Sequence, residues 1–190
     1  MYIYIYIYVK KGSNISFMDV ELKFKHLLTC TVTGPTGSGK FSFCIKFLKN
    51  LKTQCTESKF SGGIKWCYRE NTAVPYSQLG ELKENIPFLE GIPENFCNAK
   101  GNPSLLILVV LLKQAYSDVV CDLFTKGSHH RNVSVILVTQ NLFHQSRKCR
   151  DIPLNAKYVV ALKNVRTKIS SPFWRGKCTP KTAIVFTKRI

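Results

Sequence analysis

Gly34, Gly39 and Lys40 stand at the spacing G-x-x-x-x-G-K, with Pro35, Thr36, Gly37 and Ser38 between them. A segment of this kind can hold phosphate oxygens. Glycines let backbone N–H groups turn inward to cradle an anion. A helix that follows adds the partial positive charge of its N-terminus, and the lysine reaches the β- and γ-phosphates of a nucleoside triphosphate. The plainer alternative is a glycine-rich turn that merely starts a helix. The flanks favour the phosphate reading: a short β-rich run, 27–33, leads straight into the loop, and 39–51 carries Phe43, Phe47 and Leu48 along one helical face. The residues expected to touch the nucleotide are Gly34, Pro35, Thr36, Gly37, Ser38, Gly39, Lys40, Phe41 and Ser42.

Hydrolysis asks for more than this cradle. A Ser or Thr after the lysine binds Mg2+ through its hydroxyl, and this chain has Phe41 there. Ser42 follows, but one step along a helix turns a side chain by about 100°. Acids at the end of a second buried strand should hold the metal and polarise the attacking water. The matching strand, 105–112, is apolar throughout, and Val109 and Val110 stand where those acids belong. Asp118 and Asp122 follow on the next helix, where solvated or capping positions are their expected role. The sequence therefore points to ATP as the ligand, with the Mg2+ ligands replaced and no residue assigned to a metal.

The elements that position the loop alternate between strand and helix. Strands are expected at 27–33, 63–68, 105–112, 133–139 and 157–163. The segment 15–25 has an ambiguous strand character. Helices are expected at 39–51 and at 113–126, the latter ended by Gly127. Residues 71–102 read as irregular, broken by Pro75, Pro87 and Pro93, with one short helix near 79–83. This alternation predicts an α/β fold, a mostly parallel sheet of about five strands with helices on both faces. Residues 1–26 form a low-complexity, strand-like segment that opens on alternating Tyr and Ile, 27–168 form the nucleotide-binding domain, and 169–190 form a basic tail.

Composition narrows the partners. The 190 residues carry 28 Lys and Arg against 11 Asp and Glu, a net charge of +17, which favours an anionic partner such as nucleic acid. No segment is long enough to span a membrane. The eight cysteines include no C-x-x-C pair and several lie in apolar runs, as expected for free thiols in a reducing, intracellular compartment, cytoplasm or nucleus.

From about 27 to 168 the chain resembles the genome-packaging ATPases of the FtsK–HerA superfamily, in the version encoded by Maverick/Polinton transposable elements and adintovirus-like viruses. The resemblance rests on segments in order: Cys30-Thr31-Val32-Thr33 entering the loop; Ile64-Lys65-Trp66-Cys67-Tyr68; Phe88-Leu89-Glu90-Gly91-Ile92-Pro93; Leu123-Phe124-Thr125-Lys126-Gly127-Ser128-His129-His130-Arg131-Asn132; Thr139-Gln140-Asn141-Leu142-Phe143; and Leu154-Asn155-Ala156-Lys157-Tyr158 with Lys163-Asn164-Val165-Arg166. It implies a RecA-like P-loop NTPase sheet with an extra strand between the two nucleotide-binding strands. It also implies a homo-oligomeric ring acting on double-stranded DNA, with Gln140 as a polar sensor of the γ-phosphate and Arg131 as an arginine finger offered to a neighbouring subunit. Phe41, Val109 and Val110 depart from that family's pattern, as does the stretch after Lys168. The combination describes a degenerate, viral-like ATPase that binds nucleotide weakly with hydrolysis impaired or lost.

Two other classes compete with that reading. One is a non-catalytic nucleic-acid-binding protein carried by Arg147, Lys148, Arg150, Lys157, Lys163, Arg166 and Lys168. The other is an ATP-driven translocase that is still active and draws a carboxylate from elsewhere. A small-molecule kinase shares the loop, but neither an Arg-bearing lid nor an acceptor-site acid can be placed.

Overall fold

The computed structural model describes residues 2–9, 23–57, 59–68, 86–92, 101–109, 117–140, 151–162 and 183–189. Its centre is set by β2, Thr29–Thr33, in which every residue is buried. Side chains alternate across a pleated strand, so Cys30 and Val32 enter one apolar layer while Thr29, Thr31 and Thr33 face the other side. The same alternation runs through β5, Ser104–Val109. There Leu105, Ile107 and Val109 join the first layer, and Leu106 and Leu108 the second. It holds again in β6, Val133–Thr139, which puts Ile136 and Val138 on one side and Val133, Val135 and Leu137 on the other. Strands buried on both faces are what a parallel sheet requires.

With β3, Ile64–Tyr68, β4, Phe88–Glu90, and β7, Tyr158–Leu162, these strands form the parallel part of the sheet. The order across the whole sheet is β4-β3-β5-β6-β2-β7-β1-β8. The first six are mutually parallel, and β6 lies between β2 and β5. At the β7 edge, β1, Tyr2–Val9, pairs antiparallel, and β8, Ala183–Arg189, pairs antiparallel with β1 in turn. The alternating Tyr and Ile of the opening segment thus form a strand, as their period predicts. The expected count of about five parallel strands is corrected to six. The added strand is β4, three residues inside a stretch read as irregular; so short a run, bounded by Pro87 and Gly91, carries no period to detect.

Helices cover both faces. On one, α1, Lys40–Lys49, and α2, Leu51–Gln54, bury Cys44, Phe47, Leu48 and Leu51. Phe24 seals this layer, its ring edge-on to Phe47 at 5.3 Å and to Tyr158 at 4.9 Å between centroids. On the other face, α3, Asp118–Asp122, starts at Ser117, whose hydroxyl accepts from Val120 N–H. It continues through a π-helical turn, Leu123–Gly127, into α4, Ser128–His130. Val120, Leu123 and Phe124 pack here with Ile152 of α5, Asp151–Asn155.

The helix expected to stop at Gly127 therefore runs on to His130. Thr125 explains the change. Its hydroxyl donates back to the Cys121 and Asp122 carbonyls, each at 3.1 Å, a bond of the kind that distorts a helix, and Gly127 is absorbed into the wider turn. Asn132, at φ +53°, makes the left-handed stop instead. Asn132 also anchors the N-terminal end of the sheet. His26 Nε2–H donates to Asn132 Oδ1 at 2.8 Å, while His26 Nδ1 accepts from the Ser134 hydroxyl at 2.9 Å. Ser134 Oγ accepts in turn from Leu28 N–H, and Asn132 Nδ2 donates to the Gly101 carbonyl. The expected short helix at 79–83 and most of the strand-like 15–25 lie outside the described residues, as do residues 113–116 of the expected helix.

Candidate functional site

The C-terminal ends of the parallel strands meet at one edge of the sheet, and the loop begins there. Thr33 closes β2 opposite Thr139 of β6 and Ala161 of β7. The next residue, Gly34, is buried against β7. A Cβ on it would lie 2.5 Å from the Leu162 carbonyl oxygen and 2.6 Å from Ser38 Oγ, so no larger residue fits. Ser38 N–H donates to the Pro35 carbonyl at 3.2 Å, closing a tight turn whose tip, Pro35 to Gly37, is exposed. Gly39 precedes α1 at φ +89° and ψ 20°, a left-handed conformation that a glycine adopts without strain. It brings no side-chain cap, and the first turn of α1 holds no acid. The first helical bond is Phe43 N–H to Gly39 O, so the N–H groups of Lys40, Phe41 and Ser42 are the helix's unspent donors.

Lys40 is buried and folds back over the loop. Its Nζ donates to the carbonyls of Gly34 at 2.6 Å and Pro35 at 2.8 Å. Burial lowers its pKa from the ordinary lysine value. Ser38 is also buried, and its hydroxyl finds no hydrogen-bond partner among the described residues. The loop therefore holds a positive charge, open amide donors and an unmatched hydroxyl, which together suit a phosphate group.

The surroundings are apolar. Phe41, half-buried, packs on the core and places its ring centroid 6.4 Å from that of Trp66, which lies 6.2 Å from Phe88. The Trp66 indole N–H is buried without a partner among the described residues. Val109 ends β5 buried and level with Val138 and, through it, with Val32, one residue before the end of β2. Val110 lies outside the described residues. Mg2+ takes oxygen ligands. Phe41 and Val109, where a hydroxyl and a carboxylate for the ion are expected, supply none. These residues do not fit the ion.

Gln140 is exposed one residue beyond Thr139, which pairs with Thr33, so it lies at the same edge of the sheet as the loop. Arg131 is elsewhere. It precedes β6, at the opposite end of the strands, and pairs with Asp122 at 3.0 Å. Of the basic residues proposed for nucleic acid, Lys157 is described. It donates to the Leu27 carbonyl at 2.6 Å, also at that opposite end. Arg147, Lys148, Arg150, Lys163, Arg166 and Lys168 lie outside the described residues. Cys30, Cys44, Cys55 and Cys67 are buried free thiols, and burial pushes the pKa of Cys44 and of Cys67 up to about 12. The described helices include none long and apolar enough to cross a membrane.

Three supports of the loop carry no mark in the motif: the Leu162 carbonyl beneath Gly34, the burial of the Ser38 hydroxyl, and the Phe41–Trp66–Phe88 row. The first and third join segments far apart in sequence, which no local spacing reveals. Comparison of the chain with models of known protein families, and with curated proteins, found no match.

Proposed function

We propose that this chain is a RecA-like P-loop NTPase domain, akin to the DNA-packaging ATPases of Maverick/Polinton and adintovirus-like elements, that binds ATP weakly and has lost most or all hydrolysis. The observation that carries the reading is the order β5-β6-β2 with the glycine loop at the end of β2. A strand inserted between the loop strand and the strand that would bear the acids is the arrangement the resemblance implies. Lys40 supplies charge, the first turn of α1 supplies N–H donors, and Gln140 stands at the same edge to contact a terminal phosphate. Loss of hydrolysis follows from Phe41 and Val109, which offer the chemistry neither a metal ligand nor a base.

The test is equilibrium binding of a fluorescent ATP analogue to the native chain and to Lys40→Ala, with circular dichroism to verify folding. Binding that drops at least about tenfold in the variant, one charged contact's worth, supports the reading. Native binding unaffected by Lys40→Ala overturns it. ATP turnover abolished by Lys40→Ala would replace it with the active-translocase alternative.

A second reading, a nucleic-acid partner, gains from the face formed by α1 and α2. Lys46, Lys49 and Lys52 are exposed there, and Lys23 and Lys25 flank Phe24, which bridges to Cys55 just past α2. The large exposed apolar residues among those described, Val119 and Leu154, belong to α3 and α5 on the other face. A cationic face without apolar projections suits a phosphate backbone. Its affinity for duplex DNA should fall steeply with salt; salt-insensitive binding would count against it.

A further inference from the structure

The mismatch between the loop and Mg2+ has a consequence for what the loop accepts. Resting on the P-loop reading above, we infer that the loop takes a phosphoryl ligand free of divalent metal, a nucleoside mono- or diphosphate in preference to a metal–triphosphate complex, and that Phe41 sets this preference.

Three observations carry the inference. First, the loop is built for an anion beyond its helix terminus alone. Ser38, 3% exposed, holds a hydroxyl with no partner among the described residues, and Lys40, 8% exposed, holds its ammonium on the Gly34 and Pro35 carbonyls. A phosphate oxygen can draw Nζ away from those carbonyls and offer the Ser38 hydroxyl an acceptor.

Second, the position after Lys40 is committed to the core. The Phe41 ring packs against the layer that contains Trp66, and the end of β5 presents Val109 to that same layer. A metal there would gain no oxygen from Phe41 or Val109 and would depend on phosphate oxygens and water alone, against an apolar wall.

Third, the charges match one phosphoryl group. Within 34–42 the single cation is Lys40, and the helix N-terminus adds roughly half a charge. A terminal phosphoryl group carries about −1.5 to −2 at pH 7. A triphosphate brings further negative charge, normally neutralised by the metal, that nothing within 34–42 offsets.

The test is calorimetric or fluorescence titration of ADP and ATP, each with excess Mg2+ and with EDTA, on the native chain, Phe41→Thr and Phe41→Leu. The native chain should bind ADP equally well or better in EDTA, and Mg2+–ATP no more tightly than ADP. Phe41→Thr should bind ATP several-fold more tightly with Mg2+ than without, whereas Phe41→Leu, which has no hydroxyl, should gain no tightening from Mg2+; circular dichroism of each variant verifies folding. Native binding tightened fivefold or more by Mg2+ would overturn the inference. Phe41→Thr that folds and remains indifferent to Mg2+ would overturn the role of Phe41. A folded native chain that binds neither nucleotide in either condition would remove the P-loop reading itself, and the inference with it, an outcome distinct from binding that needs the metal.

Discussion

Gly34 rests against Leu162. A Cβ added to Gly34 would approach the Leu162 carbonyl oxygen to 2.5 Å and the Leu162 Cβ to 3.2 Å. The loop thus leans on the end of β7 as much as it extends from β2. Both obstacles are backbone or close to it, so neither can swing aside as a flexible side-chain tip could.

Gly34→Ala should therefore lower stability by about 3 kcal/mol, the upper part of the usual cost of overpacking, and abolish nucleotide binding. Gly37 is the control. It has φ +75° with nothing within 4 Å of its Cβ position, so Gly37→Ala should cost only the left-handed backbone penalty of about 1 kcal/mol. Urea denaturation of both variants measures the difference; equal midpoints would contradict the contact with β7.

Lys40 makes phosphate affinity depend on pH. Burial lowers its pKa below 10.5 in the folded chain, so the folded state loses this proton at lower pH than the unfolded state. Between the two values the unfolded state binds more protons, and the contribution of Lys40 to stability rises with pH. Anion affinity, which needs the ammonium, moves the other way. ADP affinity should fall with rising pH before the range in which an exposed lysine titrates, about 10.4, and the decline should vanish in Lys40→Ala. A flat native profile across that range would remove Lys40 from the phosphate contact.

Asn132 combines a left-handed backbone with two side-chain bonds, accepting from His26 and donating to Gly101. Asn132→Ala should cost about 3 kcal/mol through lost bonds and backbone strain, and Asn132→Gly about 1 kcal/mol less because glycine keeps the backbone. Chemical denaturation ranks the two; if alanine is the milder change, the backbone conformation is not what selects asparagine.

The parallel sheet was legible because its strands are buried on both faces and so read as apolar runs. β4 was not, because three residues held by partners on β3 carry no signal of their own. The helix end was misplaced because Gly127 obeys a local rule that the Thr125 back-bonds override. At the site, the order of Gly34, Gly39 and Lys40 announced the loop, and Phe41 announced the missing hydroxyl. The direction of the Phe41 ring and the burial of Ser38 depend on what folds against them, and spacing along the chain does not encode that.

The support of Gly34 by Leu162 also bears on how the chain acquires its loop during synthesis. β2 takes hydrogen bonds from β6 on one side and β7 on the other, both made much later in the chain. Such distant pairings make folding slow. On the ribosome, the glycine segment emerges early but lacks its walls until β7 has followed. The loop therefore takes its final shape only after nearly all of the parallel sheet has been assembled.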